Sequence, residues 1–131
     1  MTAGNTEREL TLEYLDEIGQ AFNRQDVDAI AGYFEEDGVF LFPVGAEPWG
    51  RKLTGRDEIR DALARRFAVF KDMRWEVRDR WVCGDRAVSE FTVKGTSDGG
   101  ETIDHHGCDL WHFRNGKIVT KDTFWKRVVR N

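Results

Sequence analysis

Apolar residues recur at every fourth position along Leu10, Tyr14, Ile18 and Phe22. On a 3.6-residue turn they share one face, which predicts an amphipathic helix from about Thr6. Thr6 and Glu9 have the spacing of a capping box at its start, and residues 1–5 read as a loose tail. Asp26 stands as the N-cap of a short second helix that carries Ile30, Tyr33 and Phe34 as far as "EEDG". "VFLFP" reads as a short strand ended by Pro43, and residues 44–55 as a Gly- and Pro-containing loop that holds Trp49. A third helix, Arg56 to Phe70, has Asp57 and Glu58 in its first turn, where the helix dipole favours acids. Its buried stripe is Ile59, Leu63, Phe67 and Phe70.

Beyond Phe70 the period changes to two. Met73, Trp75, Val77, Trp81 and Cys83 alternate with Arg74, Glu76, Arg78 and Arg80. Turns at "GDR", "SDGG" and "RNG" divide the remainder into three further strands, the last being "KIVTKDTFWKRVV". Helices first and an antiparallel meander last predict one α+β domain over residues 1–131, with helices on one face of a curved sheet.

Charge narrows the function classes. The 131 residues carry a formal net charge of −4, and their Arg and Lys are interleaved with acids, as in "GRDEIRDALARRF". That argues against a nucleic-acid partner, which calls for a basic stripe. With no apolar run near the roughly 18 residues of a membrane span and no secretory h-region at the start, no membrane partner and a cytoplasmic location are expected. Cys83 and Cys108 read as small buried hydrophobes with reduced thiols, a disulfide remaining open.

The candidate chemistry centres on "HHGCDLWHF", a strand with Asp109 in its middle. A lone ionised carboxylate in such surroundings costs on the order of several kcal/mol, so a partner or a shifted pKa is expected. Around a two-residue Asn115-Gly116 turn, Asp109 faces Asp122, and two carboxylates that close form a coupled acid/base pair. A three-residue loop would put Lys121 opposite Asp109 as an ion pair. His105 shares strand parity with Asp109 and Trp111, and His106 and His112 share the other face with Cys108 and Leu110. No helical H-x-x-x-H, Cys cluster, phosphate-binding Gly motif or nucleophile elbow is present, so neither a metal nor an organic cofactor is expected. Trp75, Trp81, Trp111 and Trp125 fall on strands as core candidates, while Trp49 sits where it covers or plugs a pocket mouth.

"YLDEIGQAFNRQDVDAIAGYFEEDGVF", "TGRDEI" and "DLWHFRNGKIVTKDTFWK" together resemble the nuclear transport factor 2-like superfamily, in its SnoaL-like and ketosteroid-isomerase-like branch. The resemblance spans about Leu10 to Val129. It implies a cone-shaped curved antiparallel sheet wrapped around three helices, with an internal pocket for a small apolar organic ligand. Ketosteroid isomerases use an aspartate base, a tyrosine and a protonated aspartate. The resemblance puts Asp109 at the protonated aspartate, Phe42 at the base, and Ile18 at the tyrosine, with Tyr14 one turn away. Steroid-type isomerisation is therefore not expected, because phenylalanine takes no proton. In the limonene-epoxide-hydrolase-like branch, "KDTF" places Asp122 at one site aspartate, while Phe91 and Val93 stand where its partners belong. SnoaL-type cyclases use one cavity aspartate, which Asp109 or Asp122 could supply. The resulting expectation is a small-molecule-binding protein with cofactor-free acid/base chemistry of the isomerase, cyclase, dehydratase or hydrolase kind. Asp109 and Asp122 would be catalytic, and Tyr14, Tyr33, Phe42, Trp49, His105, Trp111 and Trp125 would contact the ligand. A homodimer through the outer sheet face is expected too. The alternative is a non-catalytic binding or dimerisation module of the same fold.

Overall fold

Thr11 rather than Thr6 starts the first helix. In a computed structural model that describes residues 8–129, α1 spans Leu12–Asn23, and the Thr11 hydroxyl accepts from the Tyr14 N–H at 3.1 Å. Thr6, and with it the expected capping box, lies outside the described residues. Leu10 packs against the core from the segment before the helix. α2 (Val27–Tyr33) is capped by Asp26, which accepts from the Ala29 N–H. Phe34 turns out of this helix to open β1 (Phe34–Glu47).

β1 does not stop at Pro43. It continues into a hairpin with β2 (Gly50–Thr54), so the expected loop at 44–55 is largely sheet. Pro43 is tolerated because the register shifts between Phe42 and Glu47, where no regular ladder bond is demanded of it. α3 (Arg56–Val69) buries Ile59, Leu63 and Phe67, with Phe70 buried just beyond its end. β3 (Arg74–Cys83), β4 (Arg86–Thr96), β5 (Thr102–Arg114) and β6 (Lys117–Trp125) complete the chain, β6 ending four residues before Val129.

The strands form one open curved sheet in the order β2-β1-β6-β5-β4-β3. Neighbours are antiparallel except β1 and β6, which run parallel. The three helices make this an α+β fold. Apolar side chains from helices and strands, among them Leu15, Ile18, Ile30, Phe34, Leu53, Leu63, Phe91 and Ile118, merge into one core.

Two irregularities decide which side chains meet that core. On β3 the register shifts between Val77 and Asp79, so Arg78 is an extra residue. Trp75 and Val77 pair with the inward Val93 and Phe91, but after the bulge Arg80 pairs with buried Ser89, and Trp81 with outward Val88. The expected single face of Trp75, Val77, Trp81 and Cys83 is therefore broken. Cys83 is exposed and Cys108 half-buried, both as free thiols, which corrects the reading of both as buried. On β6, Phe113 pairs with Ile118 but His112 with Thr120, leaving Val119 unpaired. A one-residue bulge reverses the facing of every later side chain on its strand.

Candidate functional site

The Val119 bulge settles the register of the last hairpin. The turn is the two-residue Asn115-Gly116, with Arg114 opposite Lys117, yet beyond the bulge Asp109 faces Thr123 and Lys121 faces Trp111. The expected Asp109–Asp122 pair does not form. Asp122 lies opposite Leu110 on the outer face. Lys121 instead points inward, diagonal to Asp109, and only about 2% of it is exposed.

Lys121 Nζ donates to Asp109 Oδ1 at 2.9 Å and to Thr123 Oγ1 at 2.8 Å, and the Thr123 hydroxyl donates to the same Oδ1 at 2.6 Å. The other oxygen, Oδ2, takes no hydrogen bond from the described side chains. All three residues are buried. The ammonium is walled by aromatic faces, its Nζ lying 4.2 Å from the Phe40 centroid and 5.0 Å from that of Phe22. Burial pushes the Lys121 pKa below the usual lysine value, while the charge and hydrogen bond of Asp109 oppose that. The pKa of Asp122 is raised, first by its own burial and then by the nearby Asp109 charge. Asp109, Lys121 and Thr123 thus form a water-poor unit in which one proton has three neighbouring oxygen and nitrogen sites.

Asp109 and Lys121 border a narrow cleft of about 30 Å³, lined also by Leu15, Gly19, Phe22, Trp75, Val77, Arg80, Ser89, Phe91 and Trp111. Trp111 Nε1 is fixed by donating to Ser89 Oγ at 3.0 Å. Arg80, turned inward by the Arg78 bulge, spans the rim and pairs with Asp16 at 3.2 Å. On the other side, Lys121 and Thr123 border a second space of about 20 Å³ with Phe40, Phe42, Leu63, Met73, Arg66 and Trp125. A larger cavity of about 650 Å³ opens at the β1–β2 end, lined by Pro43, Val44, Arg66, Ile103, His105 and Trp125 among others.

Of the residues expected to contact a ligand, Phe42, His105, Trp111 and Trp125 border these spaces. Trp49, 53% exposed at the β1–β2 turn, borders an outer cavity with Asp122 and Phe124. Tyr14 and Tyr33 border none of them. The Tyr14 hydroxyl donates to the Gly116 carbonyl at 2.6 Å. The Tyr33 hydroxyl donates to Glu17 at 2.6 Å, and burial together with that carboxylate pushes its pKa up to about 12. Sequence reasoning missed Arg80 and Arg66, and reached Lys121 only through a loop length the chain does not adopt. Among the described residues no group of three metal-ligating side chains comes together, and no helix is long and apolar enough to cross a membrane.

Residues 13–121 match the family described as SnoaL-like domain. No curated protein matches the sequence. Among solved structures, a protein of ketosteroid isomerase-like fold from Catenulispora acidiphila, in complex with trimethylamine, superposes with a TM-score of 0.75 at 20% identity. The match covers 88% of this chain and 86% of that one. TerC, co-crystallised with polyporic acid, gives 0.74 at 25% identity over 88% and 90% of the two chains. SalBIII, an epoxide hydrolase/cyclase-like enzyme in pyran ring formation in the polyether salinomycin, gives 0.73 at 21% over 87% and 88%.

Proposed function

The chain belongs to the SnoaL-like domain family, and on that premise we propose that it binds a small organic molecule and acts on it by cofactor-free acid/base chemistry. The observation that carries this reading is the buried Asp109–Lys121–Thr123 unit at the wall of a cleft. Asp109 Oδ2 accepts a proton from a bound ligand and gives the same proton back at the ligand's second position, while Lys121 holds the balancing charge on Oδ1 and Thr123 fixes that oxygen. Arg80, at the rim, orients an oxygen of the same ligand. The small-molecule ligand of TerC supports an organic substrate. Asp122, on the outer face, contributes through its charge and not by contact.

The test is turnover. A panel of enolisable ketones, epoxides and hydroxyquinones is followed by NMR for conversion or for exchange of carbon-bound hydrogen with deuterium oxide. Asp109→Asn is expected to abolish whatever conversion the wild type shows while ligand binding persists. Unchanged turnover in that variant would sink the assignment.

A second reading has its own observation. The two interior spaces beside Lys121 are about 30 and 20 Å³, each near the size of a water molecule, so the core side chains largely fill the cone. On this reading the chain is a binding or dimerisation module, and the panel shows binding or none, with no turnover. A homodimer through the outer sheet face fits either reading. It is supported by Trp81, Leu110 and Phe124, exposed on that face at 45%, 44% and 51%.

A further inference from the structure

Among the described residues, two buried side-chain polar atoms find no hydrogen-bond partner: His105 Nδ1 and Trp125 Nε1. Buried polar groups are overwhelmingly paired, so two orphans in one place ask for a ligand. They are in one place. Both residues line the cavity of about 650 Å³ at the β1–β2 end, with ring centroids 5.5 Å apart. The position of Trp125 is dictated by Gly107 opposite it, where any Cβ would meet Trp125 Cδ1 at 2.9 Å.

A third donor shares the wall. Arg66 projects from α3 into the same cavity, its guanidinium 5.2 Å from the Phe42 centroid and 5.6 Å from that of Phe70. No carboxylate among the described residues lies within ion-pair distance of it. Burial holds its pKa below the usual arginine value, an effect the charge of Glu101 opposes and that of Arg51 adds to. Glu47, Glu101 and Arg127 also line the cavity, but as exposed rim groups, whereas Arg66, His105 and Trp125 are half-buried. The inner wall therefore offers the Arg66 guanidinium, with the unpaired Trp125 and His105 nitrogens just beneath the surface, and no acceptor carboxylate. Pro43, Val44 and Ile103 supply apolar surface beside them.

We propose that this cavity is a subsite for an amphipathic organic anion, its carboxylate or phenolate oxygen held by Arg66, with Trp125 Nε1–H and His105, in its Nδ1–H form, joining as their rings turn toward the anion, and its apolar body against Pro43, Val44 and Ile103. The inference rests on the small-molecule reading above and names the ligand's class. Arg66 and Trp125 also border the space next to Lys121 and Thr123. An anion seated here lies one side-chain layer from the buried acid/base unit.

Three probes of one shape and different charge test it on the wild-type protein: 2-naphthoate, 2-naphthylmethanol and 2-naphthylmethylamine. Titrations are read at the indole N–H cross-peak of Trp125, assigned with Trp125→Phe. Naphthoate is expected to move that peak saturably and to bind roughly tenfold or more tightly than the alcohol, as a charge-assisted contact gives. Arg66→Gln should lose that preference with its folded spectrum intact, and His105→Phe should lessen it. Equal binding of the three probes, preference for the amine, or no saturable shift with any would overturn the inference. Asp109→Asn separates the two proposals. Naphthoate binding retained in that variant, with turnover unaffected, removes the catalytic reading alone, whereas turnover lost with no naphthoate preference removes only the anion subsite.

Discussion

Lys121 is the residue on which the site's energetics turn. An ammonium with about 2% of its residue exposed survives in an aromatic cage because Asp109 and Thr123 supply oxygens at 2.6–2.9 Å of one another's bonding atoms. Removing one member of such a pair strands the other, at a cost of about 3–5 kcal/mol, while replacing both by apolar groups of similar volume is often neutral. Asp109→Ala and Lys121→Met are therefore each expected to lower the urea-unfolding free energy by about 3–5 kcal/mol, and Asp109→Leu with Lys121→Met to recover most of it. Single variants as stable as the wild type would show that the pair is not formed. Linkage gives the pair a pH signature. Since the folded-state pKa of Lys121 lies below 10.5, the unfolded chain binds its proton first as pH falls. The stability contributed by the neutral amine is complete above pH 10.5 and is lost as pH drops toward the folded value. The wild type should therefore gain on Lys121→Met as pH rises from neutrality toward 10.5. Both tyrosines are present in the two proteins, so their ionisation cancels in the difference. A gap that narrows over this range would contradict the sign.

At the level of the element, single residues inserted into strands explain what periodicity could and could not reveal. The helices α2 and α3 were legible from Asp26 as a cap and from the Ile59–Leu63–Phe67 stripe, because caps and 3.6-residue spacing are local signals. The three turns of the meander were legible from their Gly, Asn and Asp residues. The facing of Arg80, Trp81 and Lys121 was not. Each lies beyond a bulge, at Arg78 or Val119, whose position depends on the partner strand and leaves no mark in the alternation. Asp109 precedes no such bulge from the turn side of its own strand, so its burial and its parity with His105 and Trp111 could be read directly. The β5–β6 pairing also makes a definite demand at Gly107. A Cβ there would meet the Phe124 carbonyl oxygen, and Phe91 Cε1 and Trp125 Cδ1 at 2.9 Å each. Gly107→Ala is expected to cost about 1–3 kcal/mol by overpacking. It should also shift the Trp125 indole resonance, and a fully stable variant with that resonance unmoved would show that β6 does not lie this close.

For the whole molecule, the two bulges have a joint consequence on the outer face. They align three rows across β3, β4, β5 and β6: Cys83–Arg86–His112–Thr120, then Trp81–Val88–Leu110–Asp122, then Asp79–Glu90–Cys108–Phe124. The middle row is mostly apolar, with a basic group, Arg86, on one side and two acids, Asp79 and Glu90, on the other. A two-fold axis along the middle row lays the first row of one copy over the third row of its partner, so Arg86 of each meets Glu90 of the other. Two copies that pair this way bury Trp81, Leu110 and Phe124 in the isologous geometry of a dimer, with the two Asp122 carboxylates opposite each other at the β6 end of the row. Sedimentation equilibrium should then give a dimer for the wild type and a monomer for Leu110→Glu, since two added carboxylates would meet at the apolar centre of the row. Charge exchange makes the orientation testable. Arg86→Glu and Glu90→Arg should each weaken the dimer, and together restore it, because the swapped pair meets across the same axis. If the double variant is weaker than either single one, the copies are not related by this axis. If Leu110→Glu leaves the mass unchanged at every concentration, the outer face is not an interface.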